Sequence, residues 1–356
     1  GSLLRRGRGE AERSRQPIAP EDLRDRIRRM EEVRYALEWM WPVLSASELL
    51  NDLYSSRALI ASAAAGRLSD DEIDLLISPH HDDASERVWA FADAPVLDEA
   101  LVRLGARPGR RESDVIRTYG HILVDEAQDL SPMELRTLRR RSLGGSMTVV
   151  GDIAQATSPW AHDDWDEVLE ALPQRRPARR VELRTGYRLP GPIMELAAQL
   201  LPLAAPGLAP PSSIRELGDE PVVERVDDFS GSSRFADVLV GAVRREVNAV
   251  GQGSVAVVCA DAWLERCERA LTDAGVDFGR ATRHGLDEQV TVVVVRMVKG
   301  LELDSVIVVE PADILEADDR GPQALYVALT RATRRLSLVH ERPLPEVLLG
   351  SGGKRS

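Results

Sequence analysis

The chain has 356 residues, a formal net charge of -12, 43% hydrophobic and only 4% aromatic residues. That length accommodates two or three domains with substantial cores, and the acidic balance excludes a surface that attracts phosphate backbones everywhere, so any nucleic-acid contact has to be local. No run of about eighteen apolar residues occurs, and two cysteines, Cys259 and Cys267, read as reduced thiols rather than a disulfide framework or a zinc site.

Residues 1–19 are rich in Arg, Gly and Pro and are expected to be loose, with Gly1-Ser2 read as a tag remnant and the chain as a piece of a longer cytoplasmic protein. From Pro20 to Met40, Ile27, Met30, Val33, Leu37 and Met40 recur at three- and four-residue steps, which predicts a helix ended by Trp41-Pro42. Asp25, Glu31 and Glu32 interleave with its arginines, so the face reads as solvated and laced with ion pairs rather than as a nucleic-acid patch. Further helices are predicted over Ser47–Ala65, over Ser69–Ile77 with Ser69 and Glu72 as a capping box, and over Pro95–Leu104. His80, His81, Asp82 and Asp83 lie between them; adjacent residues on a loop cannot all face one ion, so a polar loop is expected. Residues 20–110 thus form a mostly helical unit with no recognisable chemistry.

An α/β pattern starts near Asp114. The apolar run His121–Val124 ends in Asp125 and Glu126, as a buried parallel strand delivers acids to its carboxyl end, the edge where open α/β sheets bind ligands. Ser131, Pro132 and Glu134 open a helix, and a second strand, Met147–Val150, stops at Gly151-Asp152. A helix over Asp164–Leu172, a strand over Arg180–Leu183, a helix over Leu189–Leu203 and a linker over Pro202–Ser213 follow. Beyond the linker, strands Val222–Val226, Val255–Cys259, Val290–Val295, Ser305–Val309 and Arg335–His340 alternate with helices Arg234–Val250, Ala262–Ala274 and Gln323–Ala332, the pattern of a doubly wound sheet. Residues 350–356 read as a disordered tail.

Hydrolysis of a nucleoside triphosphate is mostly positioning and charge neutralisation. A carboxylate at a strand end can hold magnesium through its water shell while the next polarises the attacking water, which suits Asp125 and Glu126 respectively. Gln155 and Gln128 are neutral donors suited to the γ-phosphate or to water.

Asp125-Glu-Ala-Gln-Asp129 followed by Gly151-Asp-Ile-Ala-Gln155 resembles motifs II and III of superfamily 1 helicases of the UvrD/Rep type. In the same order, Leu183-Arg-Thr-Gly-Tyr-Arg188 resembles motif IV, Lys299-Gly-Leu-Glu-Leu-Asp304 motif V and Leu325-Tyr-Val-Ala-Leu-Thr-Arg-Ala332 motif VI. The resemblance implies an α/β fold with two RecA-like doubly wound parallel-sheet domains, the latter part of the first over 111–205 and the second over 206–349. The second would carry no 2B insertion, because only about a hundred residues separate Arg188 from Glu302. It further implies ATP and Mg2+ as cofactors, Arg188 and Arg331 as planar, always-protonated catalytic groups for developing phosphoryl charge, Tyr187 stacked on the base, with packing between domains as the alternative, Glu302 on the ribose, and Gly300 among the nucleotide-binding residues. No Gly-x-x-x-x-Gly-Lys-Ser/Thr occurs before a helix; Gly352-Gly-Lys-Arg-Ser356 lies in the tail. The phosphate loop is therefore expected upstream, and the chain alone is expected not to hydrolyse ATP.

The chain as a whole resembles the HelD group, helicase-like factors that bind bacterial RNA polymerase, through Trp41-Pro-Val-Leu-Ser-Ala-Ser-Glu-Leu-Leu50, Trp89, Leu97-Asp-Glu-Ala100 and Gly151-Asp-Ile-Ala-Gln-Ala-Thr157. That implies a monomer whose helical unit enters the polymerase clamp, with ATP coupled to release and DNA as a further partner. An acidic surface suits channels built for nucleic acid. The alternative is a UvrD/Rep-like helicase or translocase of DNA repair, against which residues 156–165 lack the aromatic and arginine pattern that stacks single-stranded bases. A binding module with a vestigial ATP site is disfavoured by the joint presence of Asp125, Glu126, Gln155, Arg188 and Arg331.

Overall fold

The computed structural model describes residues 20–105, 116–172, 176–226, 232–280 and 288–349, so the readings of the lead, of the start near Asp114 and of the tail lie outside the described residues. The chain divides into two compact units, one ending at Arg117 and the other beginning at Thr118.

In the first unit the helix expected over 20–40 is two, α1 (Pro20–Arg29) and α2 (Glu31–Met40), parted by Met30 in an extended conformation. Charge explains the break. Arg26, Arg28 and Arg29 occupy the last turn of α1 and Glu31 and Glu32 the first turn of α2, each complementing its own helix dipole. Trp41 ends α2 as expected. The stretch expected as one helix over Ser47–Ala65 is likewise α3 (Ala46–Tyr54) and α4 (Arg57–Ala64), because Ser45 and Ser56 each cap a fresh amino terminus. The Ser69–Glu72 capping box opens α5 (Asp70–Leu76), and α6 (Ala94–Leu104) completes the unit around buried Leu50, Ile60, Ile73 and Ala100. The His80–His81 loop is strapped to α3: Asn51 Nδ2 donates to His81 O at 2.8 Å, and the Arg87 guanidinium lies over the Tyr54 and Trp89 rings at 5.2 and 5.0 Å.

The second unit opens with β1 (Ile122–Val124), α7 (Pro132–Arg141) and β2 (Met147–Val149). The two strands pair in parallel with Ile122 opposite Met147. The predicted capping box is present, Ser131 N donating to Glu134 Oε2 at 2.7 Å. With α8 (Trp165–Ala171), these elements bury Val124, Ala127, Leu135, Val168 and Leu172.

The strand expected over Arg180–Leu183 is not formed. Val181 and Leu183 are exposed, and the strand is instead β3 (Thr185–Pro190). After α9 (Gly191–Ala198) and α10 (Leu201–Ala204), it pairs with β4 (Ser212–Arg215), which begins in the last two residues of the expected linker. The helix expected over 189–203 is broken between these two pieces, where Pro202 has no N–H to continue the ladder.

The larger sheet, among the described residues, has six parallel strands in the order β5 (Val222–Arg225), β10 (Ala332–His340), β9 (Leu303–Val309), β6 (Val255–Cys259), β8 (Val290–Val294), β7 (Gly279–Arg280). The helices between them are α11 (Ser232–Val250), α12 (Leu264–Asp273), α13 (Pro311–Leu315) and α14 (Gly321–Leu329). Every residue of β6 and β8 is buried, as in a parallel sheet covered on both faces. Strand, helix and order match the predicted alternation; β7 and α13 are too short to show a period.

Under this sheet Glu246 of α11 is fully buried. It accepts from Arg335 Nε at 2.7 Å and from the hydroxyls of Ser305 and Ser337 at 3.0 Å, tying α11 to β9 and β10. Burial raises the carboxyl, but the hydrogen bonds from Arg335, Ser305 and Ser337 outweigh it and hold Glu246 below its usual range. A depressed folded value contributes stability that is present above the unfolded value and lost as pH falls through the folded one. Glu246→Ala is expected to cost about 1–3 kcal/mol by removing the acceptor of Arg335 Nε and of the Ser305 and Ser337 hydroxyls, while Arg335 keeps its pair with Asp219. Urea titrations from pH 7 to 3 should show the native protein losing stability on acidification more steeply than a Glu246→Gln variant.

Candidate functional site

The end of β1 turns sharply. Asp125 Oδ1 accepts from Glu126 N at 2.8 Å, and Glu126 sits at φ 51°, in the left-handed region that non-glycine residues rarely occupy. That conformation leaves both side chains exposed at the carboxyl end of the strand. A held, strained residue of this kind is a feature of ligand sites.

Gln128 lies behind them and is completely buried. Its Nε2 donates to Glu126 Oε2 at 2.7 Å and its Oε1 accepts from Asp152 N at 3.1 Å, so both ends of the amide are engaged in joining the turns after β1 and β2. Gly151 leaves room for this: a Cβ there would stand 2.1 Å from Gln128 Oε1. Asp152 caps the following turn by accepting from Ala154 N at 2.9 Å and takes Gln155 Nε2 at 3.0 Å. Burial pushes the Asp152 carboxyl up, against the pull of these two hydrogen bonds and of the Lys299 charge.

The opposing groups stand at the amino ends of the larger sheet. Ala332 is opposite Leu303 in the β10–β9 register, and Leu303 N donates to Arg331 O at 3.1 Å, which sets Arg331 beside Glu302. Arg188, on β3, reaches Glu302 Oε1 at 2.7 Å. Arg215 holds β3 in place by donating from Nη1 to both Arg188 O and Thr333 O at 2.7 Å. Arg331 is only 6% exposed; its Nε donates to Val327 O at 3.2 Å and its Nη2 to Gln155 Oε1 at 2.9 Å, across 176 residues of sequence. Burial lowers its pKa, and the charges of Glu126, Asp152 and Glu302 oppose that while Arg188 adds to it. The structure therefore brings Glu126, Gln128, Gln155, Arg188, Glu302 and Arg331 into one charged cluster, with Asp125 at its edge. Tyr187, next to Arg188, is 70% exposed.

Three participants were not singled out from the sequence. Lys299 Nζ lies 3.1 Å from Glu126 Oε2, pairs with Asp129 and donates to Gln155 O at 2.7 Å. It is presented by the turn Val298–Leu301, closed by Leu301 N to Val298 O at 3.2 Å, in which Gly300 has φ 78°, in the left-handed region that favours glycine. Asp129 is the second, its Oδ1 accepting from Thr157 N and Ser158 N at 3.0 and 2.9 Å. Asp152 is the third. All three lie inside the stretches that resemble motifs II, III and V, but their partners are distant in sequence, so the pattern gave them no role of their own. Oxygen donors on one side and guanidinium and ammonium groups on the other can together neutralise and orient a polyphosphate with its divalent cation.

Residues 264–340 match the family described as the viral superfamily 1 RNA helicase core domain. Among solved structures, the C-terminal domain of a possible DNA helicase from Lactobacillus plantarum WCFS1 is 25% identical, with 46% of this chain and 92% of that one covered and a TM-score of 0.37. The arterivirus nonstructural protein 10 helicase in complex with DNA is 19% identical, over 34% of this chain and 28% of that one, at a TM-score of 0.24. The Sulfolobus solfataricus SWI2/SNF2 ATPase core in complex with double-stranded DNA is 13% identical, over 36% and 31%, at a TM-score of 0.27. No curated protein is a match.

Gly151→Ala is expected to expel the Gln128 amide and to destabilise the protein by about 1–3 kcal/mol, the usual cost of overpacking. Urea denaturation checks this: a loss confined to a few tenths would mean that Gln128 is not held as described.

Proposed function

We propose that the clustered residues form the hydrolytic part of a superfamily 1 helicase-like ATPase. The observation that carries this reading is the hydrogen bond from buried Arg331 to Gln155, made beside Glu126, because it sets a guanidinium group against the residues after β1 and β2. The donor set fits the cofactors: exposed carboxylate oxygens suit a hard cation, and Arg188 with Arg331 suits phosphate oxygens. ATP with Mg2+ supplies the electrophilic phosphoryl group and part of its charge neutralisation when bound. Asp125 would hold the cation through water, and Glu126, braced by Gln128, would orient the attacking water. Gln155 would report between Arg331 and the γ-phosphate, while Tyr187, Gly300 and Glu302 would hold base and ribose.

On the finer scale, the protein is read as a HelD-type cytoplasmic factor that binds bacterial RNA polymerase core and couples ATP to release of the polymerase from nucleic acid, with DNA as a further partner. The segments around Trp41, Trp89 and Gly151, together with the net charge of -12, support this. So do Tyr35, Trp39 and Trp41 of the first unit, exposed aromatic side chains of the kind that anchor protein interfaces.

Two experiments test these statements. The 356 residues alone should show no measurable ATP turnover, since they contain no phosphate loop; in a protein that includes such a loop, Arg331→Ala should lower kcat by about 10³-fold or more, the effect of losing an arginine finger. Robust turnover by the 356 residues, or an unchanged kcat, would sink the reading. Immobilised protein should retain core polymerase, and deletion of residues 20–110 should abolish that retention; equal capture by both forms counts against the polymerase assignment.

A further inference from the structure

Helix α14 meets the segment that follows β2 at both of its ends. Beyond its carboxyl end, Arg331 donates from Nη2 to Gln155 Oε1 at 2.9 Å. Before its first turn, Arg320 donates from Nη1 to Asp163 Oδ1 and from Nη2 to Ala161 O, both at 2.7 Å. Between the two arginines, Ile153 and Ala154 are buried in the same core as Leu325 and Leu329. Residues 153–163 therefore run along a helix of nine residues, bonded at points about 13 Å apart.

Both sides of the Arg320 contact are held independently. Asp318 Oδ1 accepts from Arg320 N at 2.8 Å, and Ala324 N donates to Arg320 O at 2.9 Å, so the backbone that carries the guanidinium is fixed. At Gly321 a Cβ would stand 2.0 Å from Leu315 O, so the turn out of α13 is packed too closely to admit a side chain. On the receiving side, Ala161 N donates to Ser158 O at 3.0 Å, and Thr157 N and Ser158 N donate to Asp129 Oδ1. His162 is buried; its N donates to Gln128 O at 2.9 Å, and its Nε2 lies 2.9 Å from Leu130 O. This folded loop continues directly from Gln155, so a displacement at Ala161 and Asp163 reaches the residue that Arg331 touches.

A single hydrogen bond fixes a point and leaves rotation about it free, whereas two separated by the length of a helix fix a direction. Without Arg320, α14 would be free to pivot about the contact between Arg331 and Gln155, and the Arg331 guanidinium would keep its partner but lose its aim. Arginine suits the task because its flat fork meets a carboxylate and a carbonyl together, while an ammonium is a point charge. We propose that Arg320 is a positioning residue: it clasps the loop after Gln155 to the amino end of α14 and so orients Arg331 at the other end of the same helix. The clasp stands on the hydrogen bonds alone; its effect on turnover rests on the ATPase reading above.

Hydrogen exchange of the 356 residues, read by mass spectrometry on peptides, tests the clasp. Arg320→Ala should speed exchange over residues 157–164 by about tenfold, the shift expected when one or two hydrogen bonds are lost, and leave β6 unchanged, with Arg320→Lys in between. In the protein that includes a phosphate loop, Arg320→Ala should lower kcat by about tenfold with KM for ATP unchanged, since a small misalignment slows the step without weakening binding. Arg320→Lys should recover part of that loss. Unchanged exchange in Arg320→Ala overturns the clasp. Faster exchange beside a wild-type kcat, a raised KM in place of a lowered kcat, or Arg320→Lys no better than Arg320→Ala overturns the positioning role. The exchange result standing beside turnover insensitive to loss of Arg331 would instead sink the ATPase reading and leave the clasp in place.

Discussion

A guanidinium group with almost no exposure to water is the constraint on which the second unit turns. Burying Arg331 costs solvation that only acceptors and nearby negative charge can offset. The Val327 carbonyl, the Gln155 amide and the field of Glu126, Asp152 and Glu302 do so. Those acceptors come from different parts of the chain, so the arginine is satisfied only when the turn after β2 and the amino ends of β9 and β10 are together. The energetic requirement of one side chain thus dictates the arrangement of the cluster.

The acidic side is held just as tightly, by short-range means. Glu126 adopts a left-handed conformation that would be costly if unsupported. Gln128 supports it from beneath, and Gly151 is the space into which that amide fits. Raised Asp152 and lowered Arg331 both record withdrawal from water, and for Arg331 the charges of Glu126, Asp152 and Glu302 oppose that shift.

Beneath the cluster, the six-stranded sheet provides rigidity. Its strands β6 and β8 are valine-rich and buried at every residue, and the Glu246 network pins α11 to the two strands whose amino ends carry Glu302 and Arg331. Ala332 opposite Leu303 sets those two residues side by side. Register in the sheet therefore becomes distance in the site.

The amino-acid sequence by itself determined the elements whose cause is local. The Ser131–Glu134 and Ser69–Glu72 capping boxes, the buried runs of β6 and β8 and the acids at the end of β1 are legible because a few neighbouring residues suffice to produce them. Tertiary structure alone decided the rest. Strand β3 formed at Thr185–Pro190 rather than at Val181 because its partner, Ser212–Arg215, lay across what composition marks as a linker. One expected helix parted at Met30 and another at Ser55–Ser56, where capping and dipole charge outweighed an unbroken apolar period. Lys299, Asp129 and Asp152 lie inside helicase-like stretches, but their pairing was not legible there, because an ion pair between residues 170 positions apart is a property of the folded chain. Local patterns record what a segment can become; which segments meet depends on burial and charge summed over the whole unit.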